Sequence, residues 1–236
     1  MYTYERRIGF SEVDSNNRLT IPAIVDFFQD CSTLQSEDLG VGYFVMREKN
    51  LMWVTNSWNI SISERPGMCK KVTVGTAPYS MRGFLGQRNF ALWNESGEMI
   101  VKADSLWSLI NTETGRPEKV PEDVIAAYTF EDKLDMDYTG RKIKPEGDMT
   151  EADSFTVQPY HLDANKHVNN GQHIKLAYAF LPAGFEAASL RVEYRAQAFL
   201  GNVIMPQIYK NENGYIVALC DEAGAPYSIS EFKGKV

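Results

Sequence analysis

Apolar residues recur at helical spacing from Ile21 through Ile24, Val25 and Phe28 to Cys31, which predicts a helix over 20–39. Thr20 is placed to cap it, Pro22 falls in the tolerated first turn, and Gly40 can end it. Alternating runs then predict strands near 51–63, 70–80, 84–95 and 98–111, with "NESGE" as the turn between the last two. From 113 to about 150 the pattern lapses into charge, Pro and Gly, which predicts a connector with one short helix. It then resumes. "SFTVQPY" predicts a strand, and "NNGQHIKLAYAFL" a helix with Ile174, Ala177, Tyr178 and Leu181 on one face, stopped by Pro182. Strands follow near 189–199, 202–210, 214–220 and 226–232, with "NENG" and "DEAGA" as turns.

Both halves therefore read as a strand, a long helix and four antiparallel-type strands. The letters repeat too: "VDSNNRLT" (13–20) lies over "LDANKHVN" (162–169), so Asp14 matches Asp163, Asn16 matches Asn165, and Arg18 stands where the second copy has His167. Two copies are too few for a solenoid. They indicate two compact α+β units, each an antiparallel sheet wrapped around its helix.

The stretch "HLDANKHVNN" (161–170) holds two of the three histidines of the chain. Asp163, Asn165 and His167 recur at every second position, a spacing that puts them on one face if the chain is extended. The plainer reading of such a run is an Asx-rich turn leading into a helix, with Asn and Asp as caps.

Composition narrows the function class. The chain has 236 residues, enough for one large domain or two small ones, and is 44% apolar and 23% charged. A formal net charge of −7 without a dense Lys/Arg block argues against a nucleic-acid partner. Cys31, Cys69 and Cys220 fit neither a disulfide framework nor a metal pattern, which suits a reducing compartment. The start "MYTYERRIGF" has no apolar signal core and no run reaches the length of a membrane span, so the expectation is a cytoplasmic protein with no membrane partner.

The "HLDANKHVNNGQHI" stretch resembles the D-x-N-x-H-V-N-N signature of the acyl–acyl carrier protein thioesterases, of the double hot-dog superfamily. "NLMWVTNSWNISI" (50–62) and "ADSLWSLINTETGRPEKVPEDV" (103–124) are similar to the N-terminal unit of that family, and the resemblance runs from about Tyr4 to about Phe232. It implies two tandem hot-dog units whose sheets join into one continuous sheet. Residues 1–112 would bind the acyl chain, 113–150 would connect, and 151–236 would carry catalysis. It further implies hydrolysis of fatty acyl–acyl carrier protein to release free fatty acid. Acyl carrier protein would be the partner, with no metal or organic cofactor, and a homodimer is compatible with the sequence.

Thioester hydrolysis needs a positioned water, a polarised carbonyl and a thiolate leaving group of pKa about 8.5, which leaves easily. On the family motif His167 is a general base or acid, Asp163 a base, nucleophile or orienting group, and Asn165 a hydrogen-bonding anchor. The N–H groups of the helix start at Asn169, Asn170 and Gly171 could polarise the carbonyl.

The chain departs from the family at one place. Where relatives have a Glu-Cys pair, the strand "VEYRAQAFLGN" has Gln197 and Ala198. A cysteine nucleophile is excluded there, and an amide cannot take the proton. Glu193 on the same strand would lie roughly 13 Å away, too far to substitute. Gln197 is thus expected to orient water, leaving the proton to His167 or Asp163.

The remaining polar and aromatic residues have plainer readings. Asp14 and Asn16 are expected to keep only a turn role, and His161 and His173 to be non-catalytic. Trp53, Trp58, Phe27 and Phe28 read as core, and Lys70, Lys71, Arg82, Arg88, Arg141, Lys142 and Lys144 as solvated charges. Two rivals share the pattern: an acyl-CoA hydrolase, and a non-catalytic acyl-thioester binding protein that would account for the missing Glu-Cys pair.

Overall fold

The computed structural model describes residues 1–234. The chain forms two compact units: Met1–Asn56 with Ile60–Tyr138, and Ser57–Asn59 with Thr139 onward.

The first unit contains strand β1 (Tyr2–Arg7), helix α1 (Ile21–Asp38), the short helix α2 (Tyr43–Glu48), and strands β2 (Leu51–Ile62), β3 (Lys71–Arg82), β4 (Leu85–Trp93) and β5 (Met99–Asn111). Its strands lie in the order β1-β3-β4-β5-β2. Thr20 accepts from the Ala23 N–H at 3.3 Å, and Gly40 takes φ +71°, a left-handed value suited to glycine just past a helix. Ile21, Ile24, Val25, Phe27, Phe28 and Cys31 are fully buried against the sheet. The Phe28 and Phe90 rings meet at 5.1 Å. At roughly 1.5–3 kcal/mol per buried side chain, this apolar face is what secures the helix.

The second unit repeats the plan. It contains β6 (Asp148–Glu151), β7 (Phe155–Thr156), α4 (Asn170–Tyr178), β8 (Ala187–Tyr194), β9 (Val203–Asn211), β10 (Gly214–Cys220) and β11 (Pro226–Gly234). The order is β8-β11-β10-β9-β6, with β7 also paired to β9. Ile174 and Ala177 of α4 are fully buried, and Tyr178 meets Phe232 of β11 at 5.9 Å. Each unit is thus a helix held by an antiparallel sheet, as expected. Trp58, Phe27 and Phe28 are core, and Trp53 packs partly buried beside a core cluster.

Several local expectations need correction. "SFTVQPY" is strand only at Phe155–Thr156, and Pro159–His161 form a 3-10 turn instead. The helix α4 ends at Tyr178 rather than running on to Pro182. The strand predicted over 189–199 stops at Tyr194, so Gln197 is not on a strand.

The connector is packed, not loose, and holds the short helix α3 (Glu122–Ala127). Residues 131–138 fasten to the first sheet: Asn89 Oδ1 accepts from Leu134 N–H (3.1 Å) and the Tyr138 hydroxyl (3.0 Å), and Lys102 Nζ donates to Asp135 O (2.8 Å). Residues 140–143 fasten to the second, where Glu193 Oε2 accepts from Ile143 N–H (3.0 Å) and Arg191 Nη2 donates to Gly140 O (2.6 Å). Asn89 and Glu193 are buried. Each unit therefore satisfies a polar segment by offering it a buried side-chain acceptor.

Arg88 corrects another reading. It is 7% exposed, donates to Gln35 Oε1 at 2.8 Å and faces the Phe90 and Tyr128 rings at 5.9 and 5.6 Å. Burial pulls its pKa down.

Candidate active site

The Asp163–His167 stretch is a tight turn, not extended chain. Asp163 N–H donates to His167 O (2.9 Å) and Lys166 N–H to Asp163 O (3.0 Å), while Lys166 takes φ +64°. Asp163 Oδ1 accepts from the backbone N–H of Asn165 at 2.8 Å and of His167 at 3.4 Å. The alternate spacing therefore encodes an Asx turn, in which a carboxylate reaches the N–H two residues on. It does not encode one face of a strand.

The turn is clamped on both sides. Leu162 bridges Val168 within the loop, and His167 bridges Phe199. Val168 N–H donates to Ala198 O at 2.9 Å. This clamp brings the motif against the segment that holds Gln197, two residues from the partner of His167. Gln197 is exposed, Ala198 is buried, and the His167 and Phe199 rings meet at 4.9 Å. Asp163, Asn165 and His167 are all half-buried, placed between the core and water. Among the described residues no ion pair engages Asp163.

The other candidates are committed elsewhere. Gly171 N–H donates to Asn169 Oδ1 at 2.8 Å, the helix cap, so the Gly171 N–H is not open to a carbonyl. His161 is buried and its Nδ1 accepts from Gln158 N–H at 3.0 Å; burial lowers its pKa, with a smaller push from Lys175. His173 lies inside the unit, its Nδ1 3.0 Å from Ser228 Oγ, and burial lowers its pKa to about 4. Glu193 is an anchor: burial opposes its charge, yet hydrogen bonds from Arg195 and from Ile143 N–H outweigh that and depress its pKa.

The first unit holds the same turn. Asp14 Oδ1 accepts from Asn16 N–H (2.9 Å) and Arg18 N–H (3.0 Å), and Asn17 takes φ +57°. Leu19 N–H donates to Pro66 O at 2.8 Å, as Val168 does to Ala198. On this match Arg65 stands where the second unit has Gln197. Arg65 Nη1 meets Asp14 Oδ2 at 3.3 Å, so a cation fills the place of the candidate water-orienting amide.

The contrast between Gln197 and Arg65 depends on a register that periodicity could not supply. The signal that could have found it is the repeat itself, continued past the helices into "SERPGMC" and "RAQAFLG".

The family model of the acyl-ACP thioesterase N-terminal domain matches residues 1–128. A chloroplastic acyl-[acyl-carrier-protein] hydrolase of Cuphea viscosissima is 26% identical over 82% of this chain and 51% of its own length. For the oleoyl-acyl carrier protein thioesterase 1 of Arabidopsis thaliana the figures are 27%, 82% and 59%. The chain thus spans little more than half the length of these plant relatives. Among solved structures, an acyl-ACP thioesterase from Bacteroides thetaiotaomicron superposes with a TM-score of 0.91 at 23% identity, covering 99% of this chain and 97% of that one. The 12:0-ACP thioesterase from Umbellularia californica gives 0.84 at 19% identity, covering 100% and 98%. These two show the same fold, a double hot dog.

Proposed function

The chain belongs to the acyl-ACP thioesterase family, and on that premise we propose that it hydrolyses the thioester of fatty acyl–acyl carrier protein. The observation that carries the reading is the turned D-x-N-x-H motif clamped by its His167–Phe199 bridge beside Gln197. In this reading the second unit carries the chemistry and the first holds the acyl chain.

His167 takes a proton from the attacking water. The water oxygen bonds to the carbonyl carbon, the C–S bond breaks, and the proton passes from the imidazole to the departing sulfur. Asp163 spends Oδ1 on the turn and thereby sets the backbone of Asn165 and His167. Asn165 and Gln197 offer amide groups that donate and accept at once, which suits holding a water but not taking its proton.

No helix among the described residues is long and apolar enough to cross a membrane. The proposed setting is cytoplasmic fatty acid synthesis, with acyl carrier protein as partner.

The test is incubation with a mixed acyl–acyl carrier protein pool, followed by mass spectrometry of the released acids, beside the same assay on acyl-CoA. Release from the carrier protein at a kcat/KM well above that on acyl-CoA is expected. Tight binding without release would make the protein a sensor instead, and a preference for acyl-CoA would change the handle.

A further inference from the structure

We propose that Phe199 is a positioning residue that fixes the His167 imidazole for catalysis; this rests on the role given to His167 above. Its ring lies 4.9 Å from the imidazole at 65° between planes, an edge-to-face approach. Core packing does not account for the contact, since Phe199 is 48% exposed.

The backbone that carries the ring is held from two sides. Ala198 O accepts from Val168 N–H at 2.9 Å, and His167 and Phe199 form a bridge. On the far side Phe199 N–H donates to Asn202 Oδ1 at 2.8 Å, Gly201 N–H to Val157 O at 3.1 Å, and Val157 N–H to Asn202 O at 2.9 Å. A ring on so constrained a segment has a fixed origin, so it can transmit that order to a neighbour.

The first unit supplies an independent observation. Its matching segment repeats the hydrogen bonds, with Cys69 N–H to Ile8 O at 2.9 Å and Ile8 N–H to Lys70 O at 3.0 Å. There, however, Gly67 takes the place of Phe199 and Arg18 the place of His167. A Cβ on Gly67 would meet the Asn17 carbonyl oxygen at 2.8 Å, so that backbone admits no side chain. The ring occurs only where the imidazole does. An edge-to-face aromatic pair biases a rotamer by roughly 2- to 12-fold, and a misplaced catalytic group costs up to about 10²-fold.

The experiment compares Phe199→Ala, Phe199→Tyr, His167→Ala and the double variant His167→Ala/Phe199→Ala on one acyl–acyl carrier protein, with the imidazole resonances followed by NMR. Three histidines make those resonances assignable. Phe199→Ala should lower kcat about 10-fold with KM within about 2-fold, and should shift the His167 ring protons as the ring current is lost. Tyr should restore both. The double variant should be no slower than His167→Ala alone, because Phe199 acts through His167.

Unmoved imidazole resonances, or an alanine variant with full kcat, would overturn the proposal. So would a rise in KM at constant kcat, which would place Phe199 against substrate instead. If His167→Ala keeps its turnover while the ring shift is present, the contact stands, but both the role given to His167 and the catalytic role of Phe199 fall.

Discussion

In the first unit Asp14 holds its turn with one carboxylate oxygen and meets Arg65 with the other. In the second, Asp163 holds the same turn with one oxygen, and the position of Arg65 belongs to the neutral Gln197. The backbone hydrogen bonds of the two loops correspond one to one: Asp14 to Arg18 as Asp163 to His167, and Leu19 to Pro66 as Val168 to Ala198. The difference teaches that the Asp of the motif is, first, structural. It builds a turn that both copies share. What sets the second copy apart is which side chains the turn presents, His167 in place of Arg18, and which segment it is clamped to.

Substitutions separate the turn from the proposed chemistry. His167→Ala should lower kcat by about 10³-fold with little change in stability, within the range for loss of a general acid–base. Asp163→Ala should lose both turnover and stability, because two backbone N–H groups lose their acceptor. Asp163→Asn keeps an Oδ1 and should keep the stability while still losing turnover. Asp14→Ala should lose at least as much stability as Asp163→Ala, since it also leaves Arg65 without its carboxylate, at unchanged kcat. Equal kcat losses at Asp14 and Asp163 in folded protein would erase the distinction between the copies.

The two helices differ in a way that pH reads. Matching the capping residues Thr20 and Asn169 places His173 where α1 has the buried Ile24. His173 is neutral in the folded unit, with its pKa lowered to about 4 from 6.5 by burial. Between those values the unfolded chain binds a proton that the folded chain refuses, so stability falls as pH drops from about 6.5 towards 4 and loses nothing further from this group below that. The shift corresponds to about 3 kcal/mol at most. Urea unfolding across this range should show the loss in the wild type and a flatter profile in His173→Gln. An unchanged slope in that variant would assign the acid limb to other groups.

Gln197→Ala should lower kcat by about 10²-fold with acyl binding nearly intact, the loss typical of one positioned hydrogen-bonding group. Gln197→Glu should keep substantial activity and add an acidic titration to the kcat–pH profile, because a carboxylate of ordinary pKa about 4.3 then joins the site. A wild-type rate in the alanine variant would end the catalytic set at His167.

Much of this was legible in the letters. The helix α1 follows its apolar period closely because one face of it is buried, and the Asp14/Asp163 correspondence marks the two units. Strands β3 and β4 instead bury Val74–Pro78 and Arg88–Leu92 without a break, so they show as continuous runs. What failed was local. Asp163, Asn165 and His167 at alternate positions look extended, but a carboxylate that captures the N–H two residues on curls the same spacing into a turn. "VEYRAQAFLGN" reads as one strand because Tyr194 and Phe199 are both strand-friendly. Yet Arg195 and Ala196 both donate to Tyr227 O and leave the ladder there. Arg88 sits in the polar run "QRN" and reads as surface; only its partners Gln35 and Tyr128, distant in sequence, make its burial tolerable.

In the first unit Arg65 occupies the position that Gln197 holds in the second. The side chain of Arg65 is 6% exposed and that of Asp14 23% exposed, and Arg65 Nη1 also donates to Leu19 O at 3.3 Å. It therefore ties the Asp14 turn to the backbone at the start of α1. Arg65→Gln installs the residue of the second unit and should cost about 1 kcal/mol, more than a fully exposed pair but less than a buried charge left alone. Turnover should not change. A double-mutant cycle with Asp14→Asn separates the ion pair from the carbonyl bond: the coupling should be a substantial fraction of the single loss and should shrink only modestly in high salt, since the guanidinium is shielded from water. Coupling near zero would mean that the Asx turn stands without its cation. Arg65 would then be incidental to the first loop, and the matching position in the second would lose its best structural argument for Gln197.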